Sequence, residues 1–405
     1  MKIRRVSAFP LLVAAALMVT SGVASSASAA APDRARAAAP YIVTLEPGAD
    51  PGAVASAHAR SHGASVDHVY RHALSGYSAR LTPAAVSALT SDPLVAAVLP
   101  DREVHLTAQT VPAGISRVGA DVSSTRAGDG RGSVDVDIAV IDTGIDARHK
   151  DLNVVGGVNC VAGNLSSNDL HGHGTHVAGT AAARDNKLGV VGVAPGARLW
   201  AVRVLDANGS GSWSSVLCGI DWVTAHADTI EVANMSLGGG GSEGSCTDHG
   251  MREAICRSTA AGVTYVVAAG NGSMDASSFV PATYPEVITV SAITDFDGLP
   301  GGFGSPTCAY GTDDTFAGFS NFGADVDLAA PGVCVLSTWR GGGYRSISGT
   351  SMASPHVAGA AALYLSTHSG ATPAAVKAAL AAAGTSGWTG DPDGTQEPLL
   401  NVAGL

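Results

Sequence analysis

Two different rhythms of apolar residues divide the chain. Between Tyr41 and Leu99 the alternation is rapid: Tyr41–Leu45 reads as a strand, Pro51–His62 as a helix, Val66–Tyr70 and Gly76–Leu81 as strands, and Leu94–Leu99 as a last apolar strand. Thr82-Pro83 marks another helix start, a capping hydroxyl followed by proline at the first helical position, and Asp92-Pro93 marks its end. The order βαββαβ predicts a small α+β unit of ferredoxin-like type. A stretch rich in Thr, Val and Pro, Leu106 to Pro112, leads out of it.

From about Ser116 the period lengthens. Apolar runs at Val134–Ile141, Leu199–Val204, Val232–Met235, Val263–Ala268 and Val287–Val290 alternate with helical stretches at His173–Arg184, Ser214–Asp228, Asp248–Ala261 and Ser351–Ser366. Strands that alternate with helices predict an α/β fold, a parallel sheet with helices on both faces. In such sheets chemistry gathers where strands end and helices begin.

Composition sharpens this picture in three places. Only 14% of residues are charged and 51 are glycine, which suits tight turns and close helix-on-sheet packing. A net charge of -11 argues against nucleic acid or an anionic membrane as partner. Residues 1–29 read as a signal peptide: Lys2, Arg4 and Arg5 precede the apolar Phe9–Val19, and Ala27-Ser28-Ala29 offers small residues for cleavage. The chain is therefore expected outside the cell, without a membrane span. There an even number of cysteines favours disulfides. The six (Cys160, Cys218, Cys246, Cys256, Cys308, Cys334) allow fifteen connectivities. The working pairing is Cys160–Cys218, Cys246–Cys256 and Cys308–Cys334, the last two chosen because they close short loops.

Four residues sit where chemistry is expected. Asp142 ends a buried strand, His173 opens a helix after glycine, Asn271 follows a strand in Ala-Ala-Gly-Asn-Gly, and Ser351 opens a helix whose free amides favour a developing anion. Asp142, Asn271 and Ser351 each have an ordinary reading taken alone: turn residue, turn amide, helix cap. His171, His173 and His176 could also ligate a metal, although no familiar zinc spacing accompanies them. A non-catalytic binding module and a serine esterase are further rivals, the latter weakened by the lack of a G-x-S-x-G elbow around Ser351.

The motifs around these residues decide among the readings. Asp-Thr-Gly-Ile-Asp from Asp142, His-Gly-Thr-His-Val-Ala-Gly-Thr from His173 and Gly-Thr-Ser-Met-Ala-Ser-Pro-His-Val-Ala-Gly from Gly349 resemble the three signatures of subtilisin-like serine peptidases, in their order of Asp, His, Ser. The resemblance is nearest to the proteinase K branch and covers residues 110 to 382, and the small unit resembles the family's inhibitory propeptide.

The resemblance implies a secreted endopeptidase made as a self-processing zymogen. A linker and propeptide would span 30–108, cut between Leu106 and Thr110, and the catalytic domain 109–405. Asp142, His173 and Ser351 would form the triad, with Asn271 in the oxyanion hole. Gly209-Ser210-Gly211 and Ser236-Leu237-Gly238 would flank a substrate strand. No acidic residue lies in the pocket-wall segments 236–239 and 268–272, so an apolar or aromatic P1 side chain is expected, with Phe279 narrowing the pocket. Catalysis would need no cofactor. The carbonyls of Pro285 and Val287 with the Asp327 carboxylate are the expected seat of a structural Ca²⁺. Partners would be protein substrates and the chain's own propeptide, acting on a monomer.

Overall fold

The computed structural model describes residues 38–101, 109–163 and 166–405, which fall into two compact units on either side of residues 102–108. The expected signal peptide, and most of the segment expected to carry the maturation cut, lie outside the described residues.

The small unit runs β1 (Ala39–Leu45), α1 (Pro51–His62), β2 (Ser65–Tyr70), β3 (Gly76–Leu81), α2 (Pro83–Thr90) and β4 (Val95–Pro100). Its antiparallel sheet has the order β2-β3-β1-β4, the ferredoxin-like arrangement. Thr82 Oγ1 accepts the Ala85 amide and caps α2, and the inward residues Val43, Tyr77, Leu81 and Leu89 form the core.

The large unit contains α3 (Ala113–Arg117), β5 (Asp137–Asp142), β6 (Val154–Asn159), α4 (His173–Ala182), β7 (Arg198–Arg203), α5 (Trp213–Thr224), β8 (Val232–Met235), β9 (Gly239–Gly240), α6 (Met251–Ala260) and β10 (Thr264–Ala268). It continues with β11 (Phe279–Val280), β12 (Ile288–Thr294), β13 (Thr315–Phe316), β14 (Leu328–Pro331), β15 (Val335–Trp339), β16 (Gly343–Ile347), α7 (Thr350–Thr367) and α8 (Pro373–Ala383). The main sheet has the order β13-β12-β10-β8-β5-β7-β6, with β14 also pairing β12; only β13 runs antiparallel.

Strand periodicity divides the core between the two faces of this sheet. β5 sends Ile138 and Val140 to the side holding Val177 of α4 and Val357 of α7, and Ala139 and Ile141 to the side holding Ile220 of α5 and Ile255 of α6. Small residues let the inner helices approach closely: a Cβ on Gly359 of α7 would lie 2.7 Å from the Ala181 carbonyl of α4. Disulfides join Cys160 to Cys218, Cys246 to Cys256 and Cys308 to Cys334.

The predicted strands and helices appear, with ends moved by a few residues. The apolar pattern missed β6, where Gly156 and Gly157 interrupt the run, and the strands between 328 and 347. Gly156 passes beneath Trp200, where a Cβ would stand 2.5 Å from the ring.

Candidate active site

Asp142 is the last residue of β5 and is fully buried. His173 is the first of α4, and its Nδ1–H reaches the Asp142 carboxylate at 2.8 and 2.9 Å. Both segments are held by a residue that the sequence reading missed. The buried Asp169 carboxylate accepts from Thr143 Oγ1 (2.9 Å), from the amides of His171 and Gly172 (2.8 Å each) and from the Thr175 amide (2.9 Å). It thereby caps α4 from outside, since Gly172 has no side chain to do so. Thr143 Oγ1 in turn accepts the Gly174 amide at 2.9 Å, and a Cβ on Gly174 would meet Asp142 Oδ1 at 3.1 Å.

Burial acts first on His173 and favours its neutral form. The charge and hydrogen bond of Asp142, with the charge of Asp169, outweigh burial and hold the imidazole above its ordinary value. Its Nδ1 proton is committed to Asp142, which leaves Nε2 able to take a proton from a neighbouring hydroxyl. His176 is different. It is buried, its Nε2–H donates to the carbonyls of Val335 and Arg345 at 2.9 Å, and burial, reinforced by His173, pushes it down to about 3. Among the described residues, His171, His173 and His176 do not gather as a metal-binding set.

Ser351 is the second residue of α7, a helix that continues through Pro355. Proline has no N–H, so the Ser351 carbonyl lacks its helical partner four residues on. Ser236 Oγ donates to that carbonyl instead, at 2.8 Å, while the Ser351 hydroxyl donates to the Ser236 carbonyl at 3.3 Å. No hydrogen bond joins Ser351 to His173. Asn271 follows β10, and its Oδ1 accepts from the amide and hydroxyl of Thr350 at 2.9 and 3.0 Å, which leaves its NH₂ free to face outward. A Cβ on Gly349 would stand 3.6 Å from the Ser351 nitrogen and 3.7 Å from Asn271 Nδ2, so glycine keeps the space between these two donors open.

A cleft of about 720 Å³ brings His173 together with Gly209, Ser210, Gly211, Ser236, Leu237 and Gly238. Gly209 has φ +75°, and Asp206 Oδ1 accepts the Ser210 amide at 3.0 Å, so this edge is a fixed turn. Phe279 pairs with Gly240 across β9 and β11. Its ring fills the space beside two glycines: a Cβ on Gly238 would clash with it, and one on Gly270 would lie 3.0 Å away.

Residues 133–397 match the subtilase family, and residues 40–107 match the family described as Peptidase inhibitor I9. The chain belongs to the subtilase family. An alkaline protease of Alkalihalobacillus alcalophilus is 44% identical over 286 residues, 71% of this chain and 68% of the relative. Subtilisin DY of Bacillus licheniformis is 44% identical over 262 residues, 64% of this chain and 86% of the relative. A cold-adapted subtilisin-like serine proteinase of known crystal structure superposes with a TM-score of 0.58 at 35% identity, covering 72% of this chain and 97% of that one. This subtilase is thus a subtilisin-like serine endopeptidase that carries an inhibitor-type propeptide, the organisation of a zymogen.

The calcium seat expected in this subtilase needs correction. The carbonyls of Pro285 and Val287 and the carboxylate of Asp327 do converge, but on the Lys377 ammonium of α8, at 3.2, 2.8 and 2.8 Å. Three donors of one ammonium meet three oxygens, so the position already holds a tethered cation and does not suit Ca²⁺. Lys377→Met should lower the melting temperature by about 2–8 °C, because it leaves a half-buried carboxylate unpaired. Asp327→Ala should leave any calcium-dependent part of the melting temperature unchanged. A calcium-dependent rise that vanishes in Asp327→Ala would return the metal to this seat.

Proposed function

We propose that the chain is exported as a zymogen, with residues 30–108 as linker and inhibitory propeptide and 109–405 as the mature enzyme, cut between Leu106 and Thr110. The basic and apolar N-terminal pattern supports export, as do three disulfides, which persist only in oxidising surroundings. Every residue of the site comes from one chain, so a monomer suffices. Among the described residues no helix is long and apolar enough to cross a membrane.

The observation that carries the mechanism is the hydrogen-bonded pair of His173 and the buried Asp142, with the helix-opening Ser351 tied to Ser236 of the same cleft. Ser351 Oγ attacks the scissile carbonyl carbon as His173 Nε2 takes its proton, and Asp142 holds the imidazole tautomer and stabilises its cation. The Ser351 amide and Asn271 NH₂ receive the oxyanion. Collapse breaks the peptide bond, His173 delivers the proton to the leaving amine, and water repeats the sequence on the acyl-enzyme. A nucleophile–base hydrogen bond of this kind commonly forms or tightens only when substrate is bound. The substrate lies as an added strand between 209–211 and 236–238.

The wall segments carry no charge to meet Lys or Arg, which supports an apolar P1. Phe279 takes volume between Gly238 and Gly270, which favours small apolar side chains over the aromatic ones also expected from sequence. Cleavage profiling of a peptide library tests this. Phe279→Gly should raise kcat/KM for P1 Phe about 10–200-fold while lowering it for P1 Ala, since a methylene in such a pocket is worth about 1–3 kcal/mol. An unchanged P1 profile would remove Phe279 from the pocket.

A further inference from the structure

Strand β8 reads Val232-Ala233-Asn234-Met235, and its amide stands in an otherwise apolar run. Asn234 is fully buried in the middle of the main sheet, opposite Val140 of β5 on one side and Val266 of β10 on the other. Strand alternation sends Val232 to the side of the core that holds α4 and α7, and Ala233 and Met235 to the opposite side. Asn234 therefore faces α7, where an aliphatic side chain would pack without needing partners. A buried amide is costly unless its polar atoms are bonded. Nδ2 donates to Ser236 Oγ at 3.0 Å, and Oδ1 accepts from Ser354 Oγ of α7 at 2.8 Å.

These bonds form a chain with one direction, and it ends on the nucleophile. The Ser236 hydroxyl has a single proton, which it gives to the Ser351 carbonyl at 2.8 Å, so it accepts from Asn234. The Asn234 nitrogen is thus turned to Ser236 and its oxygen to Ser354, whose own proton fills it. Pro355 is the reason that the Ser351 carbonyl needs a donor from outside the helix. That carbonyl belongs to the planar peptide joining Ser351 to Met352, so its donor fixes the backbone torsion beside the Ser351 side chain. Asn234, Ser236 and Ser354 are each at most 4% exposed, and water does not compete for these bonds. Three neighbouring strands thereby serve one centre: β5 ends at Asp142, β8 leads to Ser236 and β10 leads to Asn271.

We infer that Asn234 is a positioning residue for acyl transfer. Being fully buried, it touches no substrate. It acts through the Ser236 hydroxyl, which holds the Ser351 backbone and with it the direction from which Oγ attacks. This role rests on the reading of Ser351 as nucleophile. A reacting atom displaced by about 1 Å costs on the order of 10²-fold in rate, so a support of this kind belongs to the chemistry even at one remove from it. The competing account is an amide that only fills and stabilises the contact between β8 and α7.

A double-variant cycle on the processed enzyme, read as peptide hydrolysis, separates the two. Ser236→Ala and Asn234→Ala should each lower kcat about 10–100-fold while KM changes less than about 3-fold. The double variant should be no slower than the slower single one, because Asn234 has nothing left to act on once the hydroxyl is gone. Should Asn234→Ala fail to fold, Ser354→Ala takes its place. It frees Oδ1, lets the amide turn, and should lower kcat about 3–10-fold, again with no further loss in the Ser236→Ala background. Losses that multiply in the double variant, a rise in KM at unchanged kcat, or a kcat within about 2-fold of the parent would overturn the role in favour of packing alone. Ser351→Ala keeps the two readings apart: retained turnover there removes Ser351 as nucleophile, whereas a negative cycle removes only Asn234.

Discussion

Ser351→Ala is expected to lower kcat on the order of 10⁶-fold, the loss seen when a subtilisin nucleophile is removed, and to accumulate as an uncut chain. Removing one hydroxyl deletes the atom that forms the acyl-enzyme, while the surroundings that position it persist. Ser236 Oγ still reaches the residue 351 carbonyl, since that bond uses the backbone, and the Asn271–Thr350 bonds are untouched. Among the described residues the one hydrogen bond lost is the long 3.3 Å donation to Ser236, so the melting temperature should stay within about 2 °C of the parent. N-terminal sequencing supplies the second readout. The active enzyme should begin between residues 106 and 110, and the alanine variant should retain the residues before that point. Retained peptide hydrolysis would sink the assignment, and a mature chain beginning at residue 30 to 40 would sink the propeptide boundary.

The parts of this site that were legible in sequence are those whose signal is local. Asp142 ends an unbroken apolar strand, His173 and Ser351 stand at helix starts flanked by glycine, and each carries its motif within a few residues. The supports were not legible, because they act across sequence. Asp169 joins Thr143 to Thr175 from a polar stretch with no apolar period of its own. Thr350 was read as part of the serine motif, yet its hydroxyl and amide orient Asn271 from 79 positions away. Lys377 stands on a helix that the apolar pattern did not predict, 90 positions from the Val287 carbonyl it meets. A cage of oxygens can be guessed from motif, but what fills it depends on which side chain a distant helix delivers. The fold shows the same division. Strands buried on both faces announced themselves as apolar runs, whereas β6 was hidden by two glycines, Gly156 lying against the Trp200 ring and Gly157 against the Ala201 backbone.

Asp142→Asn should reduce kcat on the order of 10⁴-fold and also move the pH dependence of what remains. The wild-type carboxylate can only accept, so His173 carries its proton on Nδ1 and offers Nε2 as base. An amide can turn its NH₂ toward Nδ1 instead, which places the proton on Nε2 and blocks transfer from Ser351. The charge is lost as well. Because Asp142 helps to hold the His173 value above the ordinary 6.5 or so, the ascending limb of wild-type kcat/KM should lie above that pH, and in Asp142→Asn it should fall to lower pH. The same linkage has a sign in stability. A histidine whose folded value is raised contributes stability that is complete below the unfolded value and fades as pH rises through the folded one. The melting-temperature gap between Ser351→Ala and the double variant with Asp142→Asn should therefore be widest below about pH 6.5 and shrink as pH rises past the His173 value. A gap independent of pH, with an unmoved kinetic limb, would mean that the Asp142 charge does not act on His173. The pair would then be a hydrogen bond alone, and a loss of activity in Asp142→Asn would have to come from the tautomer and not from the field.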